Sequence, residues 1–450
     1  MATSLIILAA GKGTRMQSDL PKVLHHVAGA PLLIHAMRSA AALEPEKTVV
    51  VTGHGADLVE AAARGWSDAV EVVLQAEQLG TGHAVLQAKD ALSGFDGDAI
   101  VLYGDTPFIR PETLEAMIDA RAAHDIVVLG FEAADPGRYG RLVVEGDALQ
   151  KIVEFKDADA QERAIPLCNS GVICAKADVL FDLLDAVGND NAAGEYYLTD
   201  IVGIARGKGL SATVVRCDEA ETMGINSRAE LATAEATFQA RARAEAMANG
   251  VTLHAPETVY FSHDTFIGAD TVIEPNVVFA PGVTIENGAQ IRAFSHLEGC
   301  HVSRGGVVGP YARLRPGTEL AEDVKIGNFV EVKNAVLDTG AKVNHLSYIG
   351  DAQVGARSNI GAGTITCNYD GVFKHRTTIG RDVFVGSNTM LVAPVTLGDE
   401  SMTATGTIVT RDVPEGDMAV ARARQENKAG FARRMFEKLK AKRARATKET

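Results

Sequence analysis

The spacing of apolar residues divides the chain into two halves of different period. Up to about residue 226, short unbroken apolar runs alternate with amphipathic stretches. Ser4–Ala9, Thr48–Thr52, Val70–Leu74, Ala99–Leu102, Ile126–Gly130 and Gly171–Cys174 read as buried strands. Leu32–Ala42, Ala56–Ala63 and Pro111–Ala123 carry helical spacing. Strands interleaved with helices predict an α/β domain over 1–226, with helices on both faces of its sheet. Residues 227–250 hold no Gly or Pro before Gly250 and are dominated by Ala, Glu and Arg. Ser227 followed by Glu230 is a capping-box signature, so a long solvated linker helix is expected here.

After Gly250 a period of six takes over. Ile267, Ile273, Phe279, Ile285, Ile291 and Leu297 fall in steps of six. The register breaks at Cys300–Val307, returns through Val308, Leu314, Leu320, Ile326 and Val332, and runs again through Ile379, Val385, Leu391 and Leu397. One large knob per six residues, with small or polar neighbours, gives short strands that must stack as coils to bury their knobs. A sandwich would alternate with period two instead. Residues 251–424 are therefore expected to form a hexapeptide solenoid. The tail, 425–450, is basic: Arg433, Arg434, Lys438, Lys440, Lys442, Arg443, Arg445 and Lys448 stand against Glu437 and Glu449. It reads as a solvated, frayed terminus.

Composition narrows the functional classes. With 46% hydrophobic residues the 450-residue chain is not disordered. A formal charge of −14 argues against nucleic-acid binding, which demands a basic face, but allows a small anionic substrate. The apolar run Leu5–Ala10 meets Gly11 and Lys12 long before it could span a bilayer, and it has no basic flank of a signal peptide. Five scattered cysteines, Cys168, Cys174, Cys217, Cys300 and Cys367, suit a reduced cytoplasmic chain with structural thiols.

Two stretches of the first half carry chemistry. Leu8-Ala-Ala-Gly-Lys-Gly-Thr-Arg-Met16, followed by Pro21–Leu24, combines glycines that let N–H groups approach an anion with the cations Lys12, Arg15 and Lys22. Lys12 precedes the second glycine and Met16 occupies the third-glycine position, so neither a Walker A loop nor a dinucleotide fingerprint is present. Ala99–Asp105 is an apolar strand ending in an acid, and ligands of open α/β sheets sit beyond such strand ends. Asp105, with Asn226 as a possible second oxygen, would suit Mg²⁺ among phosphates. In the second half, His345, Tyr348, Asn359, Asn368 and Lys374 crowd a few coils where the period is interrupted. Acyl transfer to an amine needs a base near pH 7, which His345 can supply. Cys367 beside Asn368 lacks a base partner and reads as structural.

Leu8–Met16, Pro21–Leu24, Gln75–His83, Tyr103-Gly-Asp105 and Glu195–Asp200 resemble sugar-phosphate nucleotidylyltransferases. With the hexapeptide half attached, residues 4 to 424 resemble the bacterial bifunctional UDP-N-acetylglucosamine pyrophosphorylase/glucosamine-1-phosphate N-acetyltransferase family. That resemblance implies a Rossmann-like nucleotidyltransferase domain with a mixed sheet, followed over 251–424 by a left-handed parallel β-helix acetyltransferase domain. It implies that N-acetylglucosamine 1-phosphate attacks UTP with release of pyrophosphate. Leu8, Ala9, Ala10, Gly11, Gln75, Gly80 and Thr81 would surround the nucleoside, with Tyr103 and Gly104 beside Asp105. Arg15 and Lys22 would neutralise the transferring phosphoryl group, and Asp105 and Asn226 would hold Mg²⁺. Gly140, Glu154 and Asn169 would bind the amino-sugar. In the solenoid, His345 would deprotonate the amine of glucosamine 1-phosphate for attack on acetyl-CoA. Asn368 and Tyr369 would position and polarise, and Ser387 would steady the oxyanion. Arg315, Lys333, Tyr348, Asn359 and Lys374 would grip the phosphorylated sugar, while Ala362, Thr405 and Arg422 would line the acetyl-CoA channel. The family is a homotrimer in which partner chains complete each acetyltransferase site. Thr405 and Asn344 depart from the family's usual residues without removing a reacting group. The competing reading is a nucleotidylyltransferase whose β-helix only oligomerises or binds a regulator.

Overall fold

The computed structural model describes residues 2–446, so Lys448 and Glu449 of the tail lie outside the described residues. The chain forms two compact units, one running to Glu245 with Phe261–His263, the other made of Ala246–Tyr260 and the chain from Asp264 onward.

The first unit is built on a nine-stranded sheet. Its strands are β1 (Thr3–Ala9), β2 (Lys47–Thr52), β3 (Glu71–Leu74), β4 (Asp98–Tyr103), β5 (Ile126–Glu132), β6 (Arg141–Glu145), β7 (Ala148–Val153), β8 (Leu167–Lys176) and β9 (Ala212–Cys217). The main order is β9-β5-β8-β4-β1-β2-β3. β8 runs antiparallel to β4 and β5, and the β6–β7 hairpin pairs with β8, which makes the sheet mixed. Both faces are covered, so the central strands are apolar without alternation. Ile6, Val49 and Val101 face one apolar layer; Leu5, Ile7, Val50 and Ile100 face the other. The strands β6, β7 and β9 gave no unbroken apolar run because each leaves part of its length exposed.

The helix Arg228–Ala248 is as long as its composition predicts, but one stripe of it is not solvated. Ala234 and Phe238 are buried against Val27, Leu32, Phe108 and Ile225. The Gln239 amide exchanges two hydrogen bonds with the Phe261 main chain, at 2.7 and 2.8 Å. The cap differs from the expected box as well. Ser227 Oγ accepts from Glu230 N (3.3 Å), but the Glu230 carboxylate reaches one residue further back and accepts from Asn226 N at 2.6 Å.

The second unit is a stack of parallel coils whose strands are two or three residues long in most coils. The six-residue knobs point inward: Ile273, Phe279, Ile285, Ile291 and Leu297 are all fully buried. Successive coils pair in register, Val332 with Ile349 and Ile360 with Val385 among them. Tight corners force left-handed backbone at Phe294, Tyr311, Phe329 and Leu346. That conformation costs an L-residue roughly 1–2 kcal/mol, and stacking offsets part of it. Phe294 stacks on Tyr311 at 4.9 Å and Tyr311 on Phe329 at 5.3 Å. The tail forms a helix, Phe431–Ala446, rather than a frayed end, and every residue of it is exposed.

Candidate active sites

In the first unit the expected residues converge beyond the C-terminal ends of β1 and β4, where the parallel register sets Leu8 beside Tyr103. Chain geometry explains the glycines there. Gly104 N donates to Leu8 O at 3.0 Å, and a Cβ on Gly104 would meet Val23 and Leu8. Gly13 has φ +58°, and a Cβ on it would lie 2.6 Å from Lys22 Cβ, so the turn bearing Arg15 adjoins Lys22. Lys12 and Arg15 are exposed and form no ion pair among the described residues. Lys22 is the exception. Its ammonium is ion-paired with Asp105 and donates to Asn226 Oδ1 at 3.0 Å. A cation thus already stands between the two oxygens expected to hold a metal.

Of the residues expected around the nucleoside, Gly80 and Thr81 pack against the Glu195–Asp200 segment. Tyr196 N donates to Leu79 O and Gly82 N to Tyr196 O, both at 2.8 Å, while Leu198 N donates to Thr81 Oγ1. A Cβ on Gly80 would strike the Tyr196 main chain. Gln75 is buried and its amide donates toward Gly80 O (3.2 Å) and His83 Nδ1 (3.0 Å), leaving Oε1 as its open acceptor.

The three residues expected at the amino-sugar, Gly140 before β6, Glu154 after β7 and Asn169 within β8, meet. Asn169 N donates to Gly140 O at 2.9 Å, and a Cβ on Gly140 would touch Asn169 Cβ and Glu154 Oε1 at 3.6 Å. Burial, then nearby Asp200, Asp157 and Glu195, pushes the Glu154 carboxyl up, although Thr199 Oγ1 donates to it at 3.1 Å. Tyr103 is packed against Gly171, and burial, then Glu154 and Asp105, drives its phenol well above the ordinary value, so it stays protonated.

In the solenoid the expected residues fall into two groups. One is a column at a single register position on successive coils: Asn328, His345, Ala362, Ser387 and Thr405. Arg422 joins it by donating to Thr405 O at 2.7 Å, a main-chain contact that alanine would offer equally. His345 is exposed, and its Nδ1 lies 2.8 Å from Asn328 Oδ1. Nδ1–H therefore donates, and Nε2 keeps the lone pair a base requires. Asn328 was not singled out in the sequence, although it stands one coil before His345. At about 4.8 Å per coil, Ser387 stands roughly 10 Å from His345.

The other group surrounds Asp351, which was also missed. Asn334 Nδ2 donates to Asp351 Oδ1 at 2.6 Å, and Asn368 Nδ2 donates to Oδ2 and approaches the Tyr348 hydroxyl at 3.4 Å. Burial raises the Asp351 carboxyl, but the two amide donors and nearby Lys333 and Lys374 outweigh it and hold it below its usual range. Arg315 pairs with Glu331 at 2.8 Å. Lys374 Nζ lies 4.0 Å from the Tyr369 ring centre, within a loop closed by the Tyr369–Lys374 bridge and by Asp370 with His375 at 2.7 Å. Asn359 is apart from this group, on the face that carries the His345 column. Among the described residues no hydrogen bond or ion pair joins His345 to Asn368, Tyr369 or Ser387. Burial raises the Cys367 thiol, in keeping with a structural role. All five cysteines are free.

Residues 5–176 match the MobA-like NTP transferase domain family, residues 264–299 the bacterial transferase hexapeptide family, and residues 376–411 the hexapeptide repeat of succinyl-transferase. Proteins named bifunctional protein GlmU are similar along the entire chain. That of Ruegeria sp. (strain TM1040) is 68% identical over 448 residues and that of Ruegeria pomeroyi 69% over 450, each covering 100% of both chains. That of Cereibacter sphaeroides (strain ATCC 17025) is 66% identical, covering 99% of this chain and 98% of its own. A nucleotidyltransferase unit and a hexapeptide acyltransferase unit, joined in this order and matched end to end at two-thirds identity, place the chain in the GlmU family of bifunctional enzymes.

Proposed function

We propose that the second unit acetylates glucosamine 1-phosphate with acetyl-CoA and that the first transfers UMP from UTP to the resulting N-acetylglucosamine 1-phosphate, releasing pyrophosphate. In the acetyl transfer, His345 Nε2 takes the proton from the sugar amine as its nitrogen attacks the thioester carbonyl. The N–C bond forms, the C–S bond breaks, and coenzyme A leaves as the thiol by taking up the proton that His345 accepted. Ser387 and Tyr369 attend the developing oxyanion, Asn368 orients the amine, and Arg315, Lys333, Tyr348, Asn359 and Lys374 hold the sugar phosphate. Ala362, Thr405 and Arg422 continue the His345 column as the acetyl-CoA channel. The shared register of His345 with Ala362, Ser387 and Thr405 is the observation that carries this half.

In the uridylyl transfer a phosphate oxygen, already ionised, attacks the α-phosphorus, so positioning and charge neutralisation do the work. Leu8–Gly11, Gln75, Gly80 and Thr81 hold the nucleoside. Gly140, Glu154 and Asn169 hold the acetylated sugar, with Tyr103 and Gly104 between. Arg15 and Lys22 take up phosphoryl charge. The donor set of one carboxylate and one amide oxygen, with an ammonium between them, fits Mg²⁺, for which two protein oxygens suffice when phosphates and water complete the shell. Asp105 and Asn226 would hold it, and it would supply Lewis-acid charge to the phosphates.

Supporting a homotrimer are the exposed stack Phe294–Tyr311–Phe329 and the separation of the two solenoid groups, which a neighbouring coil face would bridge. No helix among the described residues is long and apolar enough to cross a membrane, and the free cysteines fit a cytoplasmic setting. The test supplies glucosamine 1-phosphate, acetyl-CoA, UTP and Mg²⁺ and follows thiol and pyrophosphate separately. His345→Ala is expected to cut thiol release by about 10²–10⁴-fold while pyrophosphate release from the pre-acetylated sugar persists. Unchanged thiol release would overturn the assignment.

A further inference from the structure

Among the described residues Arg141 is the largest fully buried side chain, 2% exposed, and no carboxylate forms an ion pair with it. A buried guanidinium is costly unless its donors are satisfied. Here main-chain carbonyls satisfy it: Nη1 donates to Tyr139 O, Nη2 to Gly137 O at 3.1 Å, and Nε to Arg163 O at 3.3 Å. Its side chain also lies over the Phe155 ring at 5.9 Å, and Arg163 lies over the same ring at 4.8 Å.

These partners are not scattered. Arg141 directly follows Gly140. Phe155, beneath its guanidinium, directly follows Glu154. Cys168, its partner in the β6–β8 register, directly precedes Asn169. The Arg141 side chain therefore ties down the loop that leads into Gly140 and lies over the residue that follows Glu154, while its main chain pairs with the residue that precedes Asn169. Gly140 sits at the end of the Gly137–Tyr139 loop that the guanidinium ties down, and its N–H has no protein acceptor among the described residues.

We infer that Arg141 is a positioning residue for the sugar-phosphate acceptor: its buried fork fixes Gly140, Glu154 and Asn169 as one rigid subsite without touching the substrate. The inference rests on the amino-sugar reading above. A planar fork reaching three carbonyls is a task lysine cannot share, and misplacement of a binding group by about 1 Å can cost up to about a hundredfold.

The test measures KM for N-acetylglucosamine 1-phosphate and for UTP, kcat for pyrophosphate release, and melting temperature in Arg141→Lys, Phe155→Leu and Asn169→Ala. Arg141→Lys is expected to raise the sugar-phosphate KM by about tenfold with the UTP KM changed less than about twofold. Phe155→Leu, which leaves the guanidinium hydrogen bonds in place, is expected to move the same KM in the same direction by about threefold. It keeps the question open to measurement if the lysine variant does not fold. Equal changes in both KM values, or a lowered melting temperature with neither KM moved, would show a merely structural arginine and overturn the inference. Asn169→Ala separates the two levels. If it raises the sugar-phosphate KM while the Arg141 and Phe155 variants do not, the subsite stands and the positioning role fails. If it leaves that KM unchanged, the amino-sugar reading falls and takes the inference with it.

Discussion

The two units solve the same problem, gathering distant residues, in opposite ways. In the first, loops at the ends of parallel strands converge, so residues as far apart in sequence as Lys22, Asp105 and Asn226 meet within one chain. In the second, each coil repeats the last, so side chains at one register position form a column and those on another face stay apart. His345 and Ser387 share a column, while Asn368 and Tyr348 share a different group. Strand ends of an open sheet gather their residues at one edge, whereas a solenoid distributes its residues over separate faces, one register position at a time.

The sharpest way to break this contrast is to damage one unit and watch the other. Asp105→Ala is expected to lower pyrophosphate release by about 10²–10³-fold and leave thiol release intact; parallel loss of both would show that the sites are not independent. A smaller effect tests whether the solenoid needs company. Tyr311→Asp puts a charge in the middle of the exposed aromatic stack. It is expected to dissociate the proposed homotrimer in sedimentation and to make thiol release fall by more than about tenfold on dilution, with pyrophosphate release per chain unchanged. A dissociated chain that retains full acetyl transfer would mean that each solenoid holds a complete site.

The smallest effect concerns a single buried carboxyl. Burial raises Glu154 in the folded state. The charged form therefore costs stability above that raised value, and the cost vanishes as pH falls below the ordinary carboxylate range. Glu154→Gln is expected to melt about 2–4 °C higher than the parent at neutral pH, with the gap closing toward pH 4, while binding the sugar phosphate less well. A constant gap across that range would remove the burial explanation.

What the sequence revealed follows from how many residues carry each signal. The solenoid was legible because a single large residue at each sixth position, Ile285 or Leu314, reports its own burial. The strand-end acid Asp105 was legible because the apolar run before it marks the sheet. Asn328 escaped notice because the eye follows the six-residue step, whereas its partnership with His345 depends on a 17-residue offset, one complete coil. Asp351 stood in plain view among the motif residues, but its two amide donors come from neighbouring coils. The work of Arg141 leaves no trace in sequence, because carbonyl acceptors are the same in every residue.

The loop from Tyr369 to His375 has an implication for how such enzymes diversify. Coils on either side keep their alignment even though the separation of bonded residues grows from 17 to 25 where the loop enters. The stack passes over the detour as a staircase passes over a landing, so lengthening, shortening or rewriting that stretch would leave the treads in place. Changes of acceptor preference could then arise there piecemeal, with the scaffold indifferent to each trial.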